Sequence, residues 1–294
     1  MDNQNSYKNN LRPLCGSWHI DLEWGVNQFE SYLHNISLME NGATIPDLFK
    51  ESYNKSKEIH CITENSIIKT VTQVDDIPAG SILELSFNGV MREDDGFCSI
   101  GIDTFSRRLY EAYASSNVKG ILLNLYTGGG QSTSGYTLQQ AIADKNKPVV
   151  VRTSFLGSAG VNAAVAADEI IAASEGAMIG SIGSYISVNM AMLEYFKTYS
   201  KDIYAKVSPD KNKSFREALV GNFDLLEAEV TENAKTFQKM VSKFRDLNPD
   251  LKDTTLAGGM FQANDAKKRG LVDAIGTRAF ALKRINSLLN ISKK

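Results

Sequence analysis

An α/β fold built on a largely parallel sheet is what this sequence predicts, and three observations predict it. From about Gly80 onward, short strand-like runs alternate with helical ones. Two of the strand-like runs, "KGILLNLY" and "KPVVV", are rich in consecutive apolar residues, the pattern of a sheet covered on both faces. Each then passes into a glycine-rich turn, "TGGG" or "GSAG", before a helical segment. Strand, helix, strand at such intervals implies right-handed crossovers between parallel neighbours. Open sheets of this kind hold ligands where loops leave the carboxyl ends of strands, and both glycine turns occupy such places.

The elements follow in order. Residues 1–75 read as an N-terminal arm or appendage, aromatic and mixed at first ("CGSWHIDLEWGVNQFESYLHNIS"), then broken by turn signals. "SILELSFNGV" (81–90) predicts a strand ending in a glycine turn. Residues 101–116 predict a helix, with Ile102, Phe105, Leu109 and Tyr113 on one stripe. A strand over 119–130 runs into the three glycines, and a helix covers 134–145. A strand at 147–155 leads to Ser158 and an alanine-rich helix, followed by a short strand at 168–174. Residues 194–208 begin helical and end strand-like, and "SPDKNKSFREAL" is a polar loop entering a helix. The long helix at 224–244 carries Leu226, Val230, Ala234, Phe237, Val241 and Phe244 as an apolar stripe for core or subunit packing. Helix, short strand and helix close the chain.

Bulk properties exclude several function classes. The 294 residues are 43% hydrophobic and 22% charged, enough apolar content for a sizeable core. A net charge of -2, with no block of like charge, argues against nucleic acid or an anionic membrane as partner. No apolar run reaches transmembrane length, and the polar opening has no secretion signal, so a cytoplasmic location without a membrane anchor is expected. Three scattered cysteines and three histidines, His19, His34 and His60, make neither a disulfide framework nor a metal site. With every histidine in the first fifth of the chain, a Ser-His-Asp triad is disfavoured.

Ser158 stands between small residues at the mouth of a helix. It is either an N-cap, worth about 1 kcal/mol, or a nucleophile. A serine nucleophile needs a base. A desolvated lysine is the alternative to histidine, and Lys201, Lys206, Lys211 and Lys213 lie downstream. "TGGG" (Thr127–Gly130) is either a tight turn or a source of an oxyanion-binding N–H. It lacks the Gly-Lys-Ser/Thr ending of a phosphate loop. Ser181, between glycines in "GAMIGSIGSY", would hold a neutral lysine by hydrogen bonding, or simply belong to a turn.

With these residues in view, the sequence over about 80–280 resembles the S49 peptidases, the signal peptide peptidase A family of serine-lysine proteases on a Clp-protease/crotonase-like fold. "ILLNLYTGGGQSTSG" is similar to the family's strand followed by Ser-Pro-Gly-Gly. "GSAGVNAAVAADEIIAASEGAMIGSIGSY" is similar to its nucleophile helix and Gly-Ser-Ile-Gly segment, and "GGMFQANDAKKRGLVDAIG" to its Gly-Leu-Val-Asp ending. The resemblance implies an S49-type catalytic domain at 76–294. It implies Ser158 as nucleophile, Gly130 and Ala159 as the oxyanion-hole donors and Ser181 as the residue that positions the base. The base it implies is Lys213, with Lys211 as the alternative. Gly128, Ala159 and Asp210 depart from the family's usual proline, glycine and glycine.

"CGSWHIDLEWGVNQFESYLHNIS" is similar to the Trp-Ile opening of the head-maturation proteases of tailed phages and prophages. That similarity implies a capsid or scaffold protein as substrate, in the host cytoplasm or prohead, and a homo-oligomer needing no metal or cofactor. The alternatives are a cytoplasmic signal-peptide-peptidase-like protease, a crotonase-type acyl-CoA enzyme, and an inactive structural homologue.

Overall fold

A computed structural model of the chain describes residues 58–95 and 100–291, together with the backbone of 18–20. The rest of the expected arm, including His34 and Cys15, lies outside the described residues, as does Cys98. The chain forms a mixed α/β structure whose central sheet is mostly parallel, as its alternating pattern predicts.

In chain order, β1 (Trp18–Ile20), β2 (Ile59–Ile62), β3 (Ile68–Val71) and β4 (Ser81–Asn88) precede helix α1 (Ile102–Ala114). There follow β5 (Val118–Thr127), β6 (Gly129–Gln131), α2 (Ser132–Ala143), β7 (Val149–Gly157), α3 (Ala159–Ala164), β8 (Glu169–Ala172) and β9 (Met178–Gly180). The C-terminal part holds α4 (Met190–Tyr199), α5 (Lys213–Leu219), α6 (Asp224–Phe244), α7 (Lys252–Thr255), β10 (Met260–Gln262), α8 (Ala263–Lys268), β11 (Ala274–Ile275) and α9 (Arg278–Ile291).

The main sheet runs β10-β9-β7-β5-β4-β2-β3, with β8 and β11 branching from β7. Strands β4, β5 and β7 are parallel neighbours. The sheet forks at β7: its first half pairs with β8 and its last three residues pair with β9, both parallel. That fork frees the carboxyl end of β7 from β8 and brings β9 beside the Ser158 turn.

Alternation along β5 explains the two apolar layers. Ile121, Leu123 and Leu125 face a large core shared with α1, α2, α3 and α6. Leu122 faces the other way and packs with Ile82, Val150 and Ile171 under Ala281 and Ile285 of α9. The stripe predicted for α1 is buried at all four positions. On α6 only Phe237 and Val241 are fully buried, while the amino-terminal half of its stripe stays half-exposed.

Strands β2 and β3 extend the sheet antiparallel beyond β4, and Ile59, Cys61 and Val74 belong to the core. The sheet therefore runs across residue 75. Turn signals in this stretch mark a hairpin docked on the sheet edge, since a hairpin alone is marginal and seeks a third strand. Residues 200–208, read as ending in a strand, form none, and Ile203 and Val207 are each 91% exposed.

An ion pair between a buried carboxylate and a partly exposed guanidinium ties α9 to the sheet. Arg278 donates to Glu84 of β4 through Nε and Nη2, and Asn124 Nδ2 donates to the same carboxylate at 2.8 Å. Burial pushes the Glu84 carboxyl up, but the bonds from Arg278 and Asn124 outweigh it and hold the group below its ordinary value. A depressed carboxylate pKa adds stability that is full above the unfolded-state value of about 4.3 and is lost as pH falls through the folded value. Arg278→Ala strands the carboxylate, and we expect it to cost about 3 kcal/mol in urea unfolding at neutral pH. Glu84→Gln keeps an oxygen for Asn124 and should cost less. It should also flatten the acid limb of the stability–pH curve.

Candidate active site

The small residues of "LGSAG" let β7 turn directly into α3. Ser158 sits at that turn with φ 52° and ψ -114°. A residue with a Cβ adopts such a conformation only under strain of roughly 1–3 kcal/mol. The turn is held from both sides: the Ser158 N–H donates to the Gly180 carbonyl at 2.9 Å, and its carbonyl accepts from the Asn162 N–H at 3.0 Å. Its hydroxyl makes no bond to the first turn of α3. The capping role, which would explain a serine here without chemistry, is therefore not the one it plays. The residue is 1% exposed.

Helix α3 is fixed in place by a buried amide clamp. Gln139 Nε2 of α2 donates to the Asn162 carbonyl at 3.1 Å and to Asn162 Oδ1 at 3.0 Å. Ala159, the first residue of α3, has no intrahelical acceptor for its N–H.

The "TGGG" turn lies against the serine turn. Thr127 pairs with Leu156 across β5 and β7. A Cβ placed on Gly157 would stand 3.0 Å from the Gly128 carbonyl oxygen. The Gly129 N–H donates to Thr127 Oγ1 at 3.0 Å, which sets the bend into β6. Gly130 forms a parallel bridge with Met91, the first residue after the "NGV" turn of β4. The Met91 N–H donates to the Gly129 carbonyl and the Gln131 N–H to the Met91 carbonyl, each at 2.9 Å. A Cβ on Gly130 would meet the Met91 carbonyl oxygen at 2.0 Å, so only glycine fits. Sequence reading singled out Gly130 as a candidate but missed Met91, which packs against it. The glycine turn at 89 and the return of the chain toward "TGGG" were the available signal.

Ser181 joins the same end of the sheet. It follows Gly180, whose carbonyl holds Ser158, and its own N–H donates to the Gly259 carbonyl at 2.8 Å. Its φ of 55° is also left-handed. Ser158, Ala159, the Gly128–Gly130 turn and Ser181 thus converge.

The lysines do not join them within this chain. Lys213 opens α5, half-exposed, with its ammonium 3.5 Å from Asp210. Lys211 is exposed in the preceding turn. No hydrogen bond or ion pair links either of them to Ser158 or Ser181. Lys213 instead lines an open groove of about 490 Å³ with Met192, Leu193 and Phe215. Among the described residues no cluster of three metal-ligating side chains exists, and no helix is long and apolar enough to cross a membrane.

A Methanocaldococcus jannaschii protein named as a protease is 30% identical over 184 residues, covering 60% of this chain and 58% of that one. Protease 4 of Haemophilus influenzae is 26% identical over 201 residues, covering 65% of this chain and 32% of that one. The chain thus aligns with less than two thirds of either relative. Among solved structures, a point mutant of ClpP1 from Listeria monocytogenes superposes with a TM-score of 0.43 at 13% identity, over 68% of this chain and 94% of that one. An enoyl-CoA hydratase from Shewanella pealeana gives 0.43 at 12% identity, over 84% and 78%. The pattern of peptidase family S49 matches residues 141–292, more than half of the chain and including Ser158, Ser181 and both candidate lysines. The chain belongs to peptidase family S49.

Proposed function

We propose that this chain is a serine endopeptidase that cleaves protein substrates through Ser158, with a lysine as base. The observation that carries the reading is the conformation of Ser158. A strained serine at a strand-to-helix turn, with a hydroxyl that caps nothing, is what a nucleophile on a sharp turn requires. In the proposed reaction the Ser158 Oγ attacks a peptide carbonyl carbon while neutral Lys213 takes its proton. The N–H groups of Ala159 and Gly130 stabilise the oxyanion, and the lysine passes its proton to the leaving amine. Water then attacks the acyl-enzyme ester, giving up a proton to the same lysine and releasing Ser158. Ser181 is assigned to orient the lysine.

Within one chain Lys213 is bound to Asp210, so we assign the base to a neighbouring copy in a homo-oligomer. The exposed apolar surface of α4 supports that assembly: Met190, Met192, Tyr195 and Tyr199 are all more than half exposed. Of these, Met192 also lines the groove that Lys213 lines. For the substrate we propose capsid or scaffold protein in phage or prophage head maturation, supported by the Trp-His-Ile opening of the sequence.

A serine-directed fluorophosphonate, followed by peptide mass spectrometry, tests the reading. Covalent label on Ser158 is expected. Its absence from assembled protein would favour the acyl-CoA reading, in which the two N–H groups hold an enolate and the serine is incidental. Gly130→Ala provides a second test. Its methyl group displaces the Met91 backbone and with it the second donor, so we expect kcat for a cleaved peptide to fall about 10²-fold or more. Unchanged kcat would remove Gly130 from the oxyanion hole.

A further inference from the structure

We infer that the segment Trp18–Ile20 occupies the strand-binding edge of this active site, so that the chain as it stands holds itself closed. The inference rests on the peptidase reading above. Strand β1 pairs antiparallel with β6 in the register Trp18 to Gln131, His19 to Gly130 and Ile20 to Gly129. These two strands form a sheet of their own, apart from the central one.

The direction of the hydrogen-bonding groups decides what this pairing does. The Gly129 carbonyl and the Gln131 N–H are committed to Met91 on one edge of β6. Successive residues of a strand point their backbone groups to opposite edges, so the N–H and carbonyl of Gly130 point to the other edge, where His19 stands. In an antiparallel ladder that places His19 and Gly130 as a pair that exchanges both hydrogen bonds. The N–H assigned to the oxyanion is thereby turned toward the β1 backbone. An extended peptide entering beside Ser158 would need the same edge, because strand addition is how a cleft walled by a strand recognises a main chain. Ser158, 1% exposed, is itself covered.

Strand β1 is therefore a competitor for the substrate and not part of the scaffold. It contributes nothing to the central sheet and is joined to β2 by a long stretch of chain. Removing it from β6 breaks no pairing within the main sheet. Opening happens when a substrate strand, or an event in assembly, displaces residues 18–20.

His19→Pro in the full chain is the test. Proline removes the N–H that faces the Gly130 carbonyl and disfavours a paired strand. His19→Gly keeps that N–H and weakens the strand more mildly. Two rates are read for wild type and both variants: fluorophosphonate labelling of Ser158, and hydrogen exchange of the peptide containing Gly129–Gln131. A site occupied most of the time is labelled in proportion to its open fraction, so labelling should rise about tenfold or more in His19→Pro. Exchange at Gly129–Gln131 should rise with it, and His19→Gly should move both in the same direction by less. Equal labelling of wild type and His19→Pro would overturn the inference while leaving the peptidase reading intact. Faster exchange without faster labelling would also overturn it, since β1 would then cover β6 without blocking the serine. No labelling of Ser158 in any variant would overturn both.

Discussion

Ser158→Ala is expected to abolish peptide cleavage, by at least about 10⁴-fold, while leaving the fold and its stability within about 0.5 kcal/mol of wild type. The two halves of that expectation have separate grounds. Activity falls because alanine offers no nucleophile, and the remaining N–H groups can only polarise a bound carbonyl. Stability holds because the hydroxyl makes no bond to the helix it precedes, and because alanine keeps the Cβ and so keeps the strain at φ 52°. Ser158→Gly separates the two grounds further. Glycine adopts a left-handed φ without the Cβ clash, recovering roughly 1–3 kcal/mol of strain. It gives back about 0.5–1 kcal/mol through the greater freedom of the unfolded chain. The net gain of about 1 kcal/mol should appear in urea unfolding as a higher midpoint at unchanged slope. An inactive but more stable glycine variant is the signature of strain held at a nucleophile. If Ser158→Ala still processes a co-expressed head protein, the chemistry lies elsewhere and the serine is structural.

How far the sequence disclosed the molecule depended on the range of the interactions involved. Helices α1 and α6 and strands β4, β5 and β7 were readable because their signals are local: a period of 3.6 or a short apolar run between turn residues. The stripe Ile102, Phe105, Leu109 and Tyr113 is buried because a helix that long must bury one face against a sheet. Long-range pairing left no such trace. Nothing in "IHCI" or "IKTV" says that the strands dock on β4, and nothing in "WHI" says that it pairs with β6 more than a hundred residues later. The reading of residues 200–208 failed for the converse reason. Alternating apolar residues form a strand only where a partner edge exists, and Ile203 and Val207 have none.

At the site, residue types were legible and geometry was not. "GSAG" and "TGGG" announced two turns at carboxyl ends of parallel strands, and the fold brings them into contact because β5 and β7 are adjacent. The left-handed φ at Ser158 and Ser181 could not be read from either segment, since small neighbours permit that conformation without requiring it. Nor could the separation of Lys213 from Ser158. Order along the chain orders elements in space only when they pair, and α5 belongs to no strand of the sheet.

Lys213→Ala is expected to lower peptide cleavage by about 10³-fold or more, the cost of removing the base from a serine nucleophile. Lys211→Ala should leave it within a few-fold of wild type. Folding should be little affected, since the Lys213–Asp210 pair is exposed and such pairs contribute between about 0 and 1 kcal/mol. The decisive measurement is a mixture. Ser158→Ala protein lacks the nucleophile but keeps the lysine, and Lys213→Ala protein is the reverse. If serine and lysine meet across a head-to-tail contact between copies, random co-assembly of equal amounts restores about a quarter of the sites. If they meet within one chain, every chain in the mixture is dead and no activity returns. Met192→Asp, placed in the exposed apolar face beside the Lys213 groove, should prevent both assembly and recovery, read by sedimentation and by cleavage of the same peptide. A fully active Lys213→Ala protein would remove the lysine from the mechanism and leave Lys211, or a group outside the described residues, to serve as base, and recovery without assembly would remove the Met192 face from the contact.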